Sequence, residues 1–169
     1  MEKVIVYASR YGSAKKYAEQ LAAKKGYSLY NVTNVTRAAL TNREVILIAA
    51  VYIGMPLKLK NLLKSLTPGQ PLQLFTVGLT DPEVTDQFTE METKIRKLAH
   101  EASVDLIQLQ HLRGAFDYER LNFKHKLLIR ALHKSASKQT KPSATDRLFM
   151  ELYGNSVDYI EVEKLEELL

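Results

Sequence analysis

Three observations predict a parallel α/β fold. Apolar, strand-like runs alternate with helix-like segments along the chain. Two of those runs, Lys3–Ala8 and Glu44–Ala50, are apolar almost throughout, as strands covered on both faces are. The first run also passes straight into an amphipathic helix through Ser9-Arg10-Tyr11-Gly12-Ser13-Ala14. Alternation through five strands implies a parallel sheet with helices on both faces.

Each element has its own signal. After the first turn, Ala14, Tyr17, Ala18, Leu21 and Ala22 recur at helical spacing, with Lys15, Lys16, Glu19, Gln20 and Lys24 on the other side. Tyr27–Val32 reads as a second, weaker strand after Gly26, and Glu44–Ala50 as the third. Leu57–Leu66 follows Pro56 as a short helix with Leu59, Leu62, Leu63 and Leu66 on one stripe, and Pro68-Gly69 stops it. Pro71–Val77 is the fourth strand. Glu83–Ala102 reads as a long helix with Phe88, Met91, Ile95, Leu98, Ala99 and Ala102 inward. Leu106–Gln110 has the mixed character of an edge strand. Asn122–Lys134, Asp146–Leu152 and a short acidic segment near Glu161–Leu169 complete the helices, with a loose Ser, Lys and Thr stretch at Ser135–Thr145.

Composition narrows the classes. A chain of 169 residues, 46% hydrophobic and 25% charged, suits one domain over residues 1–169 with one good core. It has no cysteine, which excludes disulfides, thiol catalysis and iron–sulfur ligation. No apolar run approaches the roughly 20 residues of a membrane-spanning helix. The first apolar stretch, short and broken by Arg10 and Lys15, is unlike a signal peptide, so a cytoplasmic address is expected. The net charge of +5 is concentrated. Between His111 and Lys141 eight bases (Arg113, Arg120, Lys124, Lys126, Arg130, Lys134, Lys138, Lys141) face two acids, Asp117 and Glu119. A basic loop-helix segment at about 111–145 is therefore expected, offered to an anionic substrate or to lipid head groups, or simply solvated.

The turn at Ser9–Ala14 can cap a helix, since Ser and Gly are favoured there, or hold an anion. Free N–H groups at a helix N-terminus and the helix dipole both favour a phosphate. In an open parallel sheet, ligands sit beyond the carboxyl ends of the strands, where the winding reverses. With the order 2-1-3-4-5, that reversal brings this turn beside the loop Val51–Pro56. The chain has no Gly-x4-Gly-Lys-Ser/Thr loop, and Gly12 alone does not make a dinucleotide fingerprint. What remains is a hydroxyl-and-amide cradle for a terminal monophosphate, with Ser9 and Ser13 as hydrogen-bond donors.

These residues resemble the flavodoxin family, whose phosphate loop reads roughly Ser/Thr-x-Thr/Tyr-Gly-x-Thr. Ser9, Tyr11 and Gly12 match it, and Ala14 stands where the family usually has threonine. The resemblance covers nearly the whole chain and implies a flavodoxin-like three-layer sandwich binding FMN. It assigns the phosphate loop to Ser9, Arg10, Tyr11, Gly12, Ser13 and Ala14, and the first flavin-contacting loop to Val51, Tyr52, Ile53 and Gly54, with Tyr52 stacking on the ring. The second such loop is Thr76-Val77-Gly78-Leu79-Thr80, in which Gly78, Leu79 and Thr80 would touch the cofactor.

Gly114-Ala115-Phe116-Asp117-Tyr118-Glu119-Arg120, with the basic-apolar helix that follows, is similar to the bacterial menaquinone-dependent protoporphyrinogen IX dehydrogenases. Gly114, Ala115 and Tyr118 match their segment; Leu121 replaces a second tyrosine, and Phe123 stands where that group tends to have tryptophan. This likeness implies protoporphyrinogen oxidation with a quinone acceptor. It places Gly114 and Tyr118 near the cofactor and makes Arg113, Arg120 and Lys126 contacts for substrate carboxylates. It also implies peripheral contact at the inner face of a membrane. A non-catalytic flavodoxin-type electron carrier, or a module that has lost FMN, are the alternatives. Carriers of that family are usually acidic, whereas this chain has an isoelectric point near 9.3.

On the helix after Asn122, Lys126, Arg130, His133 and Lys134 gather on one side, while Leu128, Ile129, Ala131 and Leu132 cover much of the other. Such a stripe packs on a sheet, or it presents a basic surface to anionic lipid or to porphyrin propionates. The four histidines lack the spacing of a helical metal site, so no metal is expected. No Gly-x-Ser-x-Gly elbow is present, and the basic region has few interleaved aromatics, which argues against nucleic acid.

Overall fold

The computed structural model describes residues 1–83 and 88–169. In chain order the elements are β1 (Lys3–Ala8), α1 (Ser13–Lys25), β2 (Ser28–Asn31), α2 (Arg37–Leu40), β3 (Glu44–Tyr52), β4 (Met55–Pro56), α3 (Leu59–Leu63), β5 (Pro71–Gly78), α4 (Thr89–Glu101), β6 (Asp105–Arg113), β7 (Ala115–Asp117), α5 (Phe123–Ala136), α6 (Ala144–Leu152), β8 (Ser156–Asp158) and α7 (Val162–Glu167). The chain divides into two compact units, residues 1–114 with 160–169, and residues 115–159.

The first unit contains the sheet. Its five long strands are parallel in the order β2-β1-β3-β5-β6, the 2-1-3-4-5 arrangement expected from the sequence. Successive residues of a strand point to opposite faces, and here both faces are buried. On one side Val4, Val6, Val45, Leu47, Leu72 and Leu74 pack with Leu59, Leu62, Leu63, Met91 and Ile95 of α3 and α4. On the other, Ile5, Ile46, Ile48, Phe75 and Val77 pack with Ala14, Tyr17, Ala18 and Leu21 of α1 and Leu165 of α7. The result is three layers. Each of these fully buried aliphatic side chains contributes about 1.5–3 kcal/mol relative to exposure. An exposed pair such as Lys15–Glu19 (3.4 Å) contributes about 1 kcal/mol at most, so the sheet's two apolar faces hold the fold.

The amino ends of the strands are closed by a polar knot. The buried amide of Gln70 donates to the carbonyls of Leu40 and Arg43 and accepts from both the N–H and the hydroxyl of Thr67. The carboxyl ends are left for the functional loops.

The structure departs from the sequence reading at several boundaries. β3 runs on to Tyr52 because a short antiparallel partner, β4, pairs with its end. β6 extends from Asp105 to Arg113, since it pairs with β5 at both ends, with one register shift at Ile107. The helix expected over Glu83–Ala102 begins at Thr89; residues 84–87 of that expectation lie outside the described residues. At its expected start, the Asp81 carboxylate accepts from the Glu83 N–H, a turn-forming bond that competes with helix. Glu166 of α7 pairs with Lys24 of α1.

The second unit takes in most of the basic segment. Its two ends pair with each other, Ala115 with Asp158 and Asp117 with Ser156, as β7 and β8. Between them α5 packs on α6. The Asn122 side chain caps α5 by accepting from the His125 N–H (2.9 Å). Ser143 and Asp146 form a reciprocal capping box on α6.

Candidate functional site

The turn after β1 is shaped by Gly12. Its φ of 102° is open to glycine and strained for any other residue, although nothing lies within 4 Å of where a Cβ would stand. Conformation, rather than space, requires glycine there. The Ser9 hydroxyl oxygen accepts from the Gly12 N–H at 3.1 Å, which leaves its own proton to donate. The first backbone bond of α1 runs from Lys16 N–H to the Gly12 carbonyl. The amides of Ala14 and Lys15 precede it and point out of the helix end. Ala14 itself is 0% exposed, its methyl packed in the core, so at the position of the family threonine this chain offers only an N–H.

The start of α1 is electrostatically unusual. No side chain caps it, and its first turn carries no acid but has Lys15 and Lys16. Lys15 is paired with Glu19, and a bound anion would compensate the positive end of the helix dipole.

The loop after β3 stands beside this turn. The Arg10 guanidinium lies over the Tyr52 ring, 4.3 Å from its centroid. Tyr52 pairs with Met55, leaving Ile53 and Gly54 as a two-residue hairpin loop with φ of 49° and 71°. Such a loop needs positive φ at both residues. A β-branched residue there is strained, and Ile53 is also 84% exposed. A strained, outward-pointing apolar side chain next to an aromatic ring is a feature of ligand sites more than of packing.

The loop after β5 completes the group. A Cβ added to Gly78 would sit 3.8 Å from that of Val51, so this loop borders the previous one. The end of β6 ties it down. Gly114 N–H donates to the Gly78 carbonyl (2.7 Å), and the Arg113 guanidinium donates to the Leu79 carbonyl (3.2 Å) with Asp81 3.9 Å away. Gly114 is glycine for want of space: a Cβ would meet the Ser13 hydroxyl oxygen at 3.0 Å and Val77 at 3.1 Å. Ser9–Ala14, Val51–Gly54, Gly78 and Gly114 are thus brought together at the carboxyl ends of β1, β3, β5 and β6. Arg113 braces the third loop. Tyr118, Arg120 and Lys126 belong to the second unit. There Lys126 pairs with Glu119 at 3.1 Å and lies over the Tyr118 ring, and Arg120 is exposed.

Two features escaped the sequence reading. The buried Tyr17 hydroxyl bonds both Arg113 and Glu161. Thr76, His111 and Glu92 form a chain, with Thr76 Oγ1 2.5 Å from His111 Nδ1 and His111 Nε2 2.8 Å from Glu92, under the stacked ring of Phe88. An ionised carboxylate only accepts, so Nε2 carries the proton and, in the neutral ring, Nδ1 accepts from Thr76. This set has the composition of a hydrolytic triad, but Thr76 is 1% exposed and out of reach of a substrate. It is a strut joining α4 to the strands below the third loop. Its members are 16 to 35 residues apart, and only the strand register pairs Thr76 with His111.

Comparison with known proteins bears on the family. No curated protein matches the chain. Among solved structures, similar ones include the flavodoxin, WrbA-like protein from Agrobacterium tumefaciens (17% identity, TM-score 0.46, covering 64% of this chain and 82% of that one). Others are the Trp repressor binding protein from Bacillus subtilis (12%, 0.49, 67% and 85%) and a single-substitution mutant of flavodoxin from Pseudomonas aeruginosa (21%, 0.40, 66% and 82%). The sequence model of the flavodoxin domain matches residues 4–143, which span β1 to the Ser143 cap of α6, and the chain belongs to that family.

Proposed function

We propose that this protein binds FMN at the carboxyl ends of β1, β3 and β5 and serves as a redox protein through it. The observation that carries the reading is the meeting of two loops: the anion-binding turn after β1 and the Tyr52 hairpin after β3 touch through Arg10 and Tyr52. One loop suits a phosphate monoester and the other a flat ring, and they are neighbours. The residues fit the cofactor. Gly12 opens the turn, Ser9 and Ser13 supply hydroxyls, and the amides of Ala14 and Lys15 complete a cradle at a helix end that favours an anion. Tyr52 and Ile53 offer apolar surface to the ring, while the Gly78–Thr80 loop, braced by Arg113, borders it. Bound flavin supplies hydride or electron transfer; the protein positions it, shields it and sets its electrostatics.

The finer reading is oxidation of protoporphyrinogen IX with a quinone as acceptor. It is supported by the segment Gly114–Arg120 and by the basic helix after it, where exposed Arg120 is a base for a substrate carboxylate. An electron carrier without a substrate of its own is the rival, and the basic isoelectric point speaks against it.

The test is a visible absorption spectrum of the protein as isolated, followed by titration of FMN fluorescence. A flavin spectrum, or quenching that saturates, is expected. Ser13→Ala should weaken binding by roughly 1 kcal/mol, about fivefold. A colourless protein that leaves FMN fluorescence unchanged would sink the proposal. Turnover of a porphyrinogen with a soluble quinone, measured on the same preparation, separates the enzyme from the carrier.

A further inference from the structure

Arg10 is the one charged residue in the three loops at the carboxyl ends of β1, β3 and β5. Ser9–Ala14, Val51–Gly54 and Gly78–Thr80 hold no acid and no second base. Between Glu44 and Asp81 the chain has no acid at all, and the first turn of α1 has none either. Asp81, which follows the third loop, lies 3.9 Å from the guanidinium of Arg113. Among the described residues Arg10 is in no ion pair. Its guanidinium lies instead over the Tyr52 ring, 4.3 Å from the centroid. A guanidinium held on an aromatic face has a defined place and keeps its full charge.

A charge fixed beside a redox cofactor changes the relative affinity of its two oxidation states. The oxidised isoalloxazine ring is neutral, and two electrons with one proton turn it into an anion. A cation nearby therefore favours the reduced ring. The guanidinium takes one face of Tyr52 and leaves the other to a flat ligand, so one aromatic ring separates the charge from the cofactor. At about 8 Å and an effective dielectric constant of about 30, a unit charge changes such an equilibrium roughly tenfold. Arg10 also attracts the phosphate of FMN, but equally in both oxidation states. That attraction cancels in their ratio and leaves the effect on the ring.

We infer that Arg10 raises the reduction potential of the bound flavin by favouring its anionic reduced form, with Tyr52 as the platform that holds the guanidinium in place. The inference rests on FMN binding as proposed above. It gives the chemistry a direction, since a flavin of raised potential takes electrons from an organic donor more readily and gives them up less readily.

The experiment compares the full chain with its Arg10→Gln and Arg10→Lys variants. Arg10 is exposed, so both variants should fold as the parent does. Titration of FMN fluorescence gives the affinity for the oxidised cofactor. Reductive titration with dithionite against a reference dye gives the potential of the bound flavin. Arg10→Gln should lower that potential by about 30 mV, the two-electron equivalent of a tenfold change in the ratio of affinities. Arg10→Lys should keep most of the parent's potential, because the charge remains. The parent's own potential should fall as salt rises to about 1 M, where exposed charges are screened. An Arg10→Gln potential equal to the parent's, in protein that binds FMN, overturns this inference and leaves the binding proposal standing. Equal falls in both variants would overturn it too, since shape and not charge would then be at work. So would a parent potential independent of salt. A parent that binds no FMN ends both proposals.

Discussion

The hydroxyl of Tyr17 donates to the carbonyl of Arg113 at 2.8 Å, and the same oxygen accepts from the N–H of Glu161 at 3.0 Å. Tyr17 is buried in α1; Arg113 is the last residue of β6, and Glu161 directly precedes α7. One side chain therefore fastens the point where the chain leaves the first unit and the point where it returns. Tyr17→Phe removes both bonds and leaves two backbone groups without their partner. A loss of about 2 kcal/mol is expected, read as a fall of about 5 °C in the thermal midpoint. A midpoint within a degree of the parent would mean that water replaces the hydroxyl.

Gly114→Ala tests the contact between the end of β6 and the turn after β1. The new methyl would press on Ser13 at 3.0–3.1 Å and on Val77 at 3.1 Å. Overpacking of this kind costs about 1–3 kcal/mol, and displacement of Ser13 should weaken FMN by about tenfold. An affinity equal to the parent's would separate Gly114 from the cofactor site.

Ile53→Asn should move stability and affinity in opposite directions. Asn-Gly is the favoured pair for a two-residue hairpin with positive φ, so relief of strain should stabilise the fold by about 1 kcal/mol. Loss of the apolar side chain should weaken flavin binding. If thermal midpoint and affinity rise together, Ile53 is not a ring contact.

Thr76→Val deprives His111 Nδ1 of its partner in a nearly dry environment. The expected cost is about 1–3 kcal/mol in denaturant unfolding, with loosening of α4 visible as faster amide exchange around Glu92. Unaltered exchange there would show that Glu92 and Phe88 hold the imidazole without the hydroxyl.

Asp146 gives α6 a pH response. Hydrogen bonds from the Ser143 hydroxyl and N–H, and the nearby Arg147, hold its carboxyl below the usual carboxylate range. A pKa lower in the folded than in the unfolded chain means the stabilisation is fully present above the ordinary aspartate value. It disappears as pH falls through the lowered one. The N-terminus of α6 should therefore fray below about pH 4, seen by NMR at the Ser143 and Asp146 amides. Asp146→Asn should fray at neutral pH and lose the acid transition.

The sheet was readable because β1, β3 and β5 are buried on both faces and so show as unbroken apolar runs. The Ser9–Ala14 turn was readable because it joins such a run to a helical period. The Ile53-Gly54 hairpin carries none of the Asn-Gly or Asp-Gly signal of its turn type. β7 and β8 are three residues each and about forty apart, too short to show alternation. The Thr76–His111–Glu92 chain depends on strand register, which no local pattern encodes. α5 was readable as a helix, but its buried stripe was not. Apolar residues occupy about two-thirds of its circumference, so the period alone does not say which stripe is buried. The reading grouped Lys126 and His133 with Arg130 and Lys134, and Leu128 with Ile129 and Leu132. In the structure Lys126 and His133 turn toward Tyr118 and Tyr153 while Leu127 and Leu128 face out.

The two atoms bonded to the Tyr17 oxygen can be no more than about 6 Å apart, the sum of their distances to it. A detour of some forty-five residues thus starts and finishes at nearly one spot, with its own terminal strands zipped together besides. Lengthening or shortening such a detour changes the closure entropy only logarithmically. The β6–α7 junction is therefore a natural socket, where a short linker could stand in for residues 115–159 or an unrelated domain be spliced in while the sheet of the first unit stays assembled.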